Sequence, residues 1–233
     1  MDYRDRHVVV TGGTGALGSA VVGELIRLGA TCHIPVLHEK ELERFPYRDH
    51  AQAVIARDGN LADEAAVARL YAGVPRLWAS IHIAGGFAAA PVAETAKAAL
   101  MQQIDMNFVT CFLCCAAAVN AMTKAGAGGR IVNVAARPAL EWRSGAGMAA
   151  YTASKAAVAA LTVALAEEVA KHGILVNAIA PSIMDTPVTR QAMPKADHAA
   201  WPKVEEVAAS IVFLASPDNK VTRGGVVPVY GRS

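Results

Sequence analysis

With 233 residues and no linker-like stretch, the chain has the length of one compact domain, residues 1–233. Its formal net charge of +2, with acids and bases interleaved and no basic run, argues against nucleic acid or an anionic membrane as main partner. Hydrophobic residues make up 54% of the chain but aromatic ones only 6%, which favours thin helix-on-sheet layers over an aromatic-rich sandwich.

The first residues, Met1 to His7, run straight into an apolar segment and lack the apolar core of a secretory signal. No segment reads as a membrane span, so the expected location is cytoplasmic. Short strand-like runs follow at 7–11, 31–37, 53–56, 77–83, 129–134, 175–180 and 226–229. Amphipathic helical patterns lie between them at 19–28, 64–71, 93–122, 151–171 and 205–215. Strand and helix in alternation predict parallel strands joined by right-handed crossovers. The expected fold class is α/β: a doubly wound parallel sheet of about seven strands with helices on both faces.

The first strand, Val8-Val9-Val10, leads into Thr11-Gly12-Gly13-Thr14-Gly15-Ala16-Leu17-Gly18 and then a helix. Glycines here let the backbone bend and let a pyrophosphate approach the N–H groups at the positive end of the helix. The turn, with Gly12, Thr14, Gly15, Ala16, Leu17 and Gly18, is therefore a candidate dinucleotide cradle in a Rossmann-like fold. An acidic residue near Val36, at the end of the second strand, would bind the adenosine ribose and favour NAD, but valine cannot. His38 and Lys40 are placed to meet a 2′-phosphate, although Glu39 lies between them and all three also suit a solvated loop. The expected cofactor is NAD(P), leaning towards NADP. Asp58 and Asn60, after the third strand, are candidates for the adenine edge.

Four cysteines are present: Cys32, Cys111, Cys114 and Cys115. The Cys-x-x-Cys spacing from Cys111 to Cys114 invites a metal reading, but it lies within a helix and lacks a second ligand pair. Buried free thiols are expected there, and no metal.

Tyr151-Thr152-Ala153-Ser154-Lys155 opens a long apolar helix, where a spacing of four residues puts Tyr151 and Lys155 on one face. A free phenol titrates near pH ~10, and a neighbouring ammonium lowers that value. The pair is a candidate general acid for a carbonyl or imine that receives hydride.

Together these motifs make the chain similar, over nearly its whole length, to the short-chain dehydrogenase/reductase family. The resemblance implies that Tyr151 and Lys155 are its catalytic tyrosine and lysine, both also contacting the cofactor. It implies that Asn107 supports a proton-relay water beside the lysine. Ala84 and Gly85 would lie against the cofactor. Pro181, Ile183 and Thr186 fall in the segment that meets the nicotinamide carboxamide, with Ser182 replacing the usual glycine. Hydride transfer to a small-molecule substrate and assembly as a homodimer or homotetramer follow as expectations.

The pattern breaks in two places. His82-Ile83-Ala84-Gly85 stands where the family has Asn-Asn-Ala-Gly, and His82 reads as a satisfied core histidine. Ala136 stands where a serine would bond the substrate oxygen, a loss that can cost on the order of 10²–10³ in rate. Ser144 is a distant substitute, better read as a loop serine. Dihydropteridine reductase, a member of the family, shares the alanine and the missing asparagines, and Asp185-Thr186-Pro187, Arg190, Met193-Pro194, Ala196-Asp197 and Trp201 resemble its substrate-side loop. Asn107 departs from that likeness. Trp142 and Arg143 form an extra pair over the site, suited to a flat or acidic substrate or to a plain surface excursion. The expected substrates are a pterin-like ring, a quinone or a 3-oxoacyl compound. The alternative, raised by Ala136, is a dinucleotide-sensing binding protein that has lost turnover.

Overall fold

A computed structural model describes residues 1–57 and 59–233. Among the described residues, seven parallel strands form one sheet in the order β3-β2-β1-β4-β5-β6-β7. They are β1 (His7–Thr11), β2 (Thr31–Pro35), β3 (Ala53–Ala56), β4 (Leu77–His82), β5 (Gly129–Val134), β6 (Ile174–Pro181) and β7 (Val226–Val229). The expected doubly wound sheet is what the chain forms. The central strands are buried on both faces, which is why β1 reads Val8-Val9-Val10 with no polar alternation.

Two cores flank the sheet. On one face α1 (Ala16–Arg27) packs beside α8 (Val204–Leu214), and Val21, Leu25, Val207 and Ile211 are fully buried there. On the other face lie α2 (Glu64–Ala72), α3 (Lys97–Ile104), α4 (Thr110–Ala125) and α6 (Ala149–Glu168). Asp63 caps α2 by accepting the Ala65 N–H at 2.9 Å, and α4 stops at Gly126, whose φ of +65° is open to glycine. The chain walks from β1 outward to β3, then crosses back to β4. Strand order reverses between β1 and β4, and that switch point opens a crevice at the carboxyl ends of the strands.

The helix expected over 93–122 is different in detail. Its start is replaced by a 3-10 turn at Val92–Glu94, and α3 and α4 are joined by a π-turn at Asp105–Val109. The segments Lys97–Ala125 and Ala149–Glu168 are long and apolar enough to cross a membrane by length and composition, which the sequence reading passed over. In the fold they belong to the helix layer: α4 lies on β4 and α6 on β6. Two short helices also went unforeseen, α5 (Arg137–Leu140) and α7 (Pro187–Ala192), each started by a proline in its first turn.

Candidate active site

The turn after β1 forms the floor of the crevice. Gly12 has φ +66°, and a Cβ there would lie 2.8 Å from the Ala84 amide nitrogen, so only glycine lets β1 and the end of β4 approach this closely. Gly15 heads α1 without any side-chain cap, leaving the first N–H groups and the positive end of the helix dipole for a ligand. The crevice has a volume of about 760 Å³, and Gly12, Thr14, Gly15, Ala16, Leu17 and Gly18 all line it. Asn60, Ala84 and Gly85 line it too. Its size, glycine floor and uncapped helix end fit a dinucleotide.

At the far end of the crevice the residues differ from the expected ones. His38 and Lys40 are exposed and do not line it; Leu37 and Glu41 do. Glu41 Oε2 accepts the Thr14 hydroxyl at 2.8 Å and Oε1 accepts the His38 amide at 2.9 Å. Its carboxylate thus bridges the glycine turn and the segment after β2. The spacing from His38 to Glu41, a helix-capping pattern, was the available signal. Asp58 lies outside the described residues.

Tyr151 and Lys155 stand in the first turns of α6. Lys155 is buried at 6% exposure, and its Nζ donates to the Val134 carbonyl at 2.8 Å, at the end of β5. Gly85 separates it from the crevice: a Cβ at Gly85 would lie 3.4 Å from Lys155 Nζ. Burial lowers Lys155 to about 8, a shift that a thiolate at the nearby Cys111 would oppose. Burial pushes Tyr151 up to about 12. The expectation that Lys155 makes the phenol more acidic is therefore corrected for the protein alone: desolvation governs the tyrosine, and the amine is engaged by a backbone carbonyl. At neutral pH the phenol keeps its proton and is a donor.

Asn107 sits in the π-turn and is almost fully buried. Its Nδ2 donates to the Gly86 carbonyl at 3.0 Å, and its Oδ1 accepts the Gly86 N–H at 3.0 Å. The next residue, Phe87, is 63% exposed and stands edge-on to Tyr151, with ring centroids 5.0 Å apart and planes at 83°. Phe87 carried no signal in the sequence.

Pro181 ends β6 opposite Val229 of β7, followed by exposed Ile183 and by Thr186, whose hydroxyl caps α7 by accepting the Thr189 N–H at 3.2 Å. These three do not line the crevice. Ala136, 5% exposed, offers no hydroxyl, and Ser144 is no substitute, since its hydroxyl donates to the Glu141 carbonyl at 2.8 Å on an exposed turn. Trp142 is 74% exposed with Nε1 donating to the Ala139 carbonyl at 3.1 Å. His82 is buried and fully bonded, as a core histidine: Nδ1 meets Asn133 Oδ1 at 2.8 Å and Nε2 meets Ser80 Oγ at 2.8 Å. All four cysteines are free and buried.

Residues 6–197 match the family model described as short chain dehydrogenase. The chain belongs to the short-chain dehydrogenase/reductase family and is an NAD(P)-dependent oxidoreductase. It is 30% identical to 2,3-dihydroxy-2,3-dihydro-p-cumate dehydrogenase of Pseudomonas putida, over 97% of this chain and 93% of that one. It is 31% identical to 2-dehydro-3-deoxy-L-rhamnonate dehydrogenase (NAD(+)) of a Sphingomonas species, over 98% and 95%. Among solved structures, ElxO with NADP bound superposes with a TM-score of 0.86 at 24% identity, covering 97% of each chain, a likeness of fold.

Proposed function

We propose that the enzyme works as an NAD(P)H-dependent reductase of a flat, conjugated ring, a quinone or a pterin-like compound, with Tyr151 as the proton donor. The observation that carries this reading is the edge-to-face pair of Phe87 and Tyr151, an exposed aromatic wall set against the donor itself. The missing hydroxyl at Ala136 supports it further. A conjugated acceptor spreads the incoming negative charge over its ring and depends less on a second donor than an isolated ketone does. The Pseudomonas relative, whose name gives a ring diol as substrate, supports a ring-shaped substrate. A quinonoid pterin is included in the proposed class on the resemblance of residues within 185–201 to dihydropteridine reductase, read from the sequence alone.

A reduced dinucleotide held in the crevice would supply hydride. The turn from Gly12 to Gly18 would hold its pyrophosphate, and Ala84 and Gly85 would form the small surface beside it. The family resemblance assigns Pro181, Ile183 and Thr186, which lie outside the walls of the crevice, to its carboxamide end. Tyr151 gives its proton to the acceptor atom that gains electrons. Lys155 holds positive charge beneath Gly85 and binds the ribose. Asn107 keeps the 84–87 segment, and with it Phe87, in register with the phenol, and supports the relay that returns a proton to Tyr151.

The lean towards NADP is supported by ElxO, a fold relative with NADP bound; the Sphingomonas relative uses NAD. The exposed Phe112 and Val163 on α4 and α6 support a homo-oligomer formed across that helical face, in the cytoplasm. The test is absorbance decay of NADH and NADPH with quinones, quinonoid dihydropterin, cyclic ketones and a 3-oxoacyl thioester. Ring acceptors are expected to exceed the open-chain ones by about tenfold or more in kcat/KM. A preference for the thioester overturns the ring reading.

A further inference from the structure

Beneath the crevice lies a group of side chains that hydride transfer does not use. His82 ends β4, and Cys111 and Cys115 stand one turn apart on α4; all three are buried, and their ligand atoms lie within 4.8 Å of one another. Asn133 of β5 closes the remaining side. Its Oδ1 is 2.8 Å from His82 Nδ1 and 3.5 Å from Cys115 Sγ, and Cys115 Sγ is 3.5 Å from His82 Nδ1.

We propose that His82 Nδ1, Cys111 Sγ, Cys115 Sγ and Asn133 Oδ1 form a tetrahedral zinc site that ties β4 and β5 to α4. Bonds of about 2.0–2.3 Å at tetrahedral angles put neighbouring sulfur and nitrogen ligands roughly 3.5 Å apart. The Cys115–His82 and Cys115–Asn133 spacings already have that value. Of these three spacings, the His82–Asn133 pair, now held by a hydrogen bond, must open, by roughly half an ångström on the same bond lengths.

The chemistry selects the ion. Two sulfurs and an imidazole reject magnesium and calcium, which take oxygen. Two thiolates neutralise a divalent ion, whereas monovalent copper would leave a net negative charge in a buried site.

The protons balance. Cys111 and Cys115 each release one to solvent as the ion binds. His82 remains neutral, its proton moving from Nδ1, where Asn133 Oδ1 accepts it, to Nε2, where Ser80 Oγ stands at 2.8 Å. Ser80 can accept it because its own hydroxyl is free to turn towards Tyr71 OH, 2.6 Å away. Asn133 is aimed by its Nδ2, which donates to Thr162 Oγ1 at 2.9 Å. His82 and Asn133 each therefore have a partner that orients them, as the groups behind the ligands do around structural zinc. Cys114, on the same helix, is outside the set, so the operative pair is Cys111 with Cys115 rather than the Cys-x-x-Cys spacing.

The experiment is metal analysis of the full chain purified from zinc-replete culture, beside chain made in cobalt-supplemented culture. Equimolar zinc is expected in wild type and in Cys114→Ser, and its loss in Cys115→Ser and His82→Asn. The cobalt protein is expected to show thiolate-to-cobalt charge-transfer absorption. Zinc well below equimolar in wild type, or retained in Cys115→Ser, overturns the site. Should the variants fail to fold, cobalt protein lacking charge-transfer absorption overturns it by itself.

Discussion

Asn107 holds Gly86 by both of its backbone groups, giving an N–H to the carbonyl and taking one from the amide, each at 3.0 Å. The contact resembles one rung of a sheet ladder made by a side chain, and it fixes the segment that carries Phe87 to Tyr151. Asn107→Ala removes both bonds and leaves Gly86 without these partners, a cost of about 1–3 kcal/mol. The expected result is a lowered midpoint of denaturation and a fall in kcat larger than any loss of dinucleotide affinity. Asn107→Asp, which retains the acceptor for the Gly86 N–H, recovers part of both. An alanine variant with wild-type kcat would show that the clamp does not position the site.

Glu41 sets a negative charge on the adenosine end of the crevice, bonded to Thr14. A 2′-phosphate brought near that carboxylate meets repulsion worth roughly 1 kcal/mol in a solvated setting, about fivefold in affinity. Glu41→Gln is expected to improve NADP binding relative to NAD by about that factor, whichever the wild type prefers. Dissociation constants from cofactor fluorescence check it. An unchanged ratio would place Glu41 away from the ribose.

His33 is buried on β2 with its Nε2 3.0 Å from His7 Nδ1. Burial, and then the neighbouring His7, lower its pKa from 6.5 to about 4. The unfolded chain therefore binds more protons than the folded one between those values. Stability is full above about 6.5 and falls as the pH drops towards about 4. Urea denaturation at several pH values is expected to show this slope in wild type and a shallower one in His33→Phe. Equal slopes would remove His33 as the cause.

Much of this was legible because it is written locally. The glycine turn, the Tyr151–Lys155 spacing and the valine-rich β1 each carry their geometry in a few adjacent residues. The parallel, doubly wound character of the sheet followed from alternation alone. What escaped depends on residues that meet only in the fold. Glu41 reaches the crevice because a short 3-10 turn, Glu39–Arg44, folds back onto Thr14. Phe87 acquires meaning only against Tyr151, from a helix far along the chain. The acidity assigned to the phenol came from counting its charged neighbour, whereas burial, invisible in a spacing, governs it. His82 was correctly read as a core residue, but its companions Cys111 and Cys115 could not be placed beside it without the register of β4 on α4.

The central claim is that the Tyr151 phenol supplies the proton when a ring acceptor is reduced. Its most direct measurement is the rate of NADPH or NADH oxidation by the best ring acceptor, for wild type and Tyr151→Phe, with cofactor affinity measured alongside. Loss of turnover on the order of 10²–10⁴, with dinucleotide binding nearly unchanged, is the expected result. Turnover at the wild-type rate in the phenylalanine variant would contradict it.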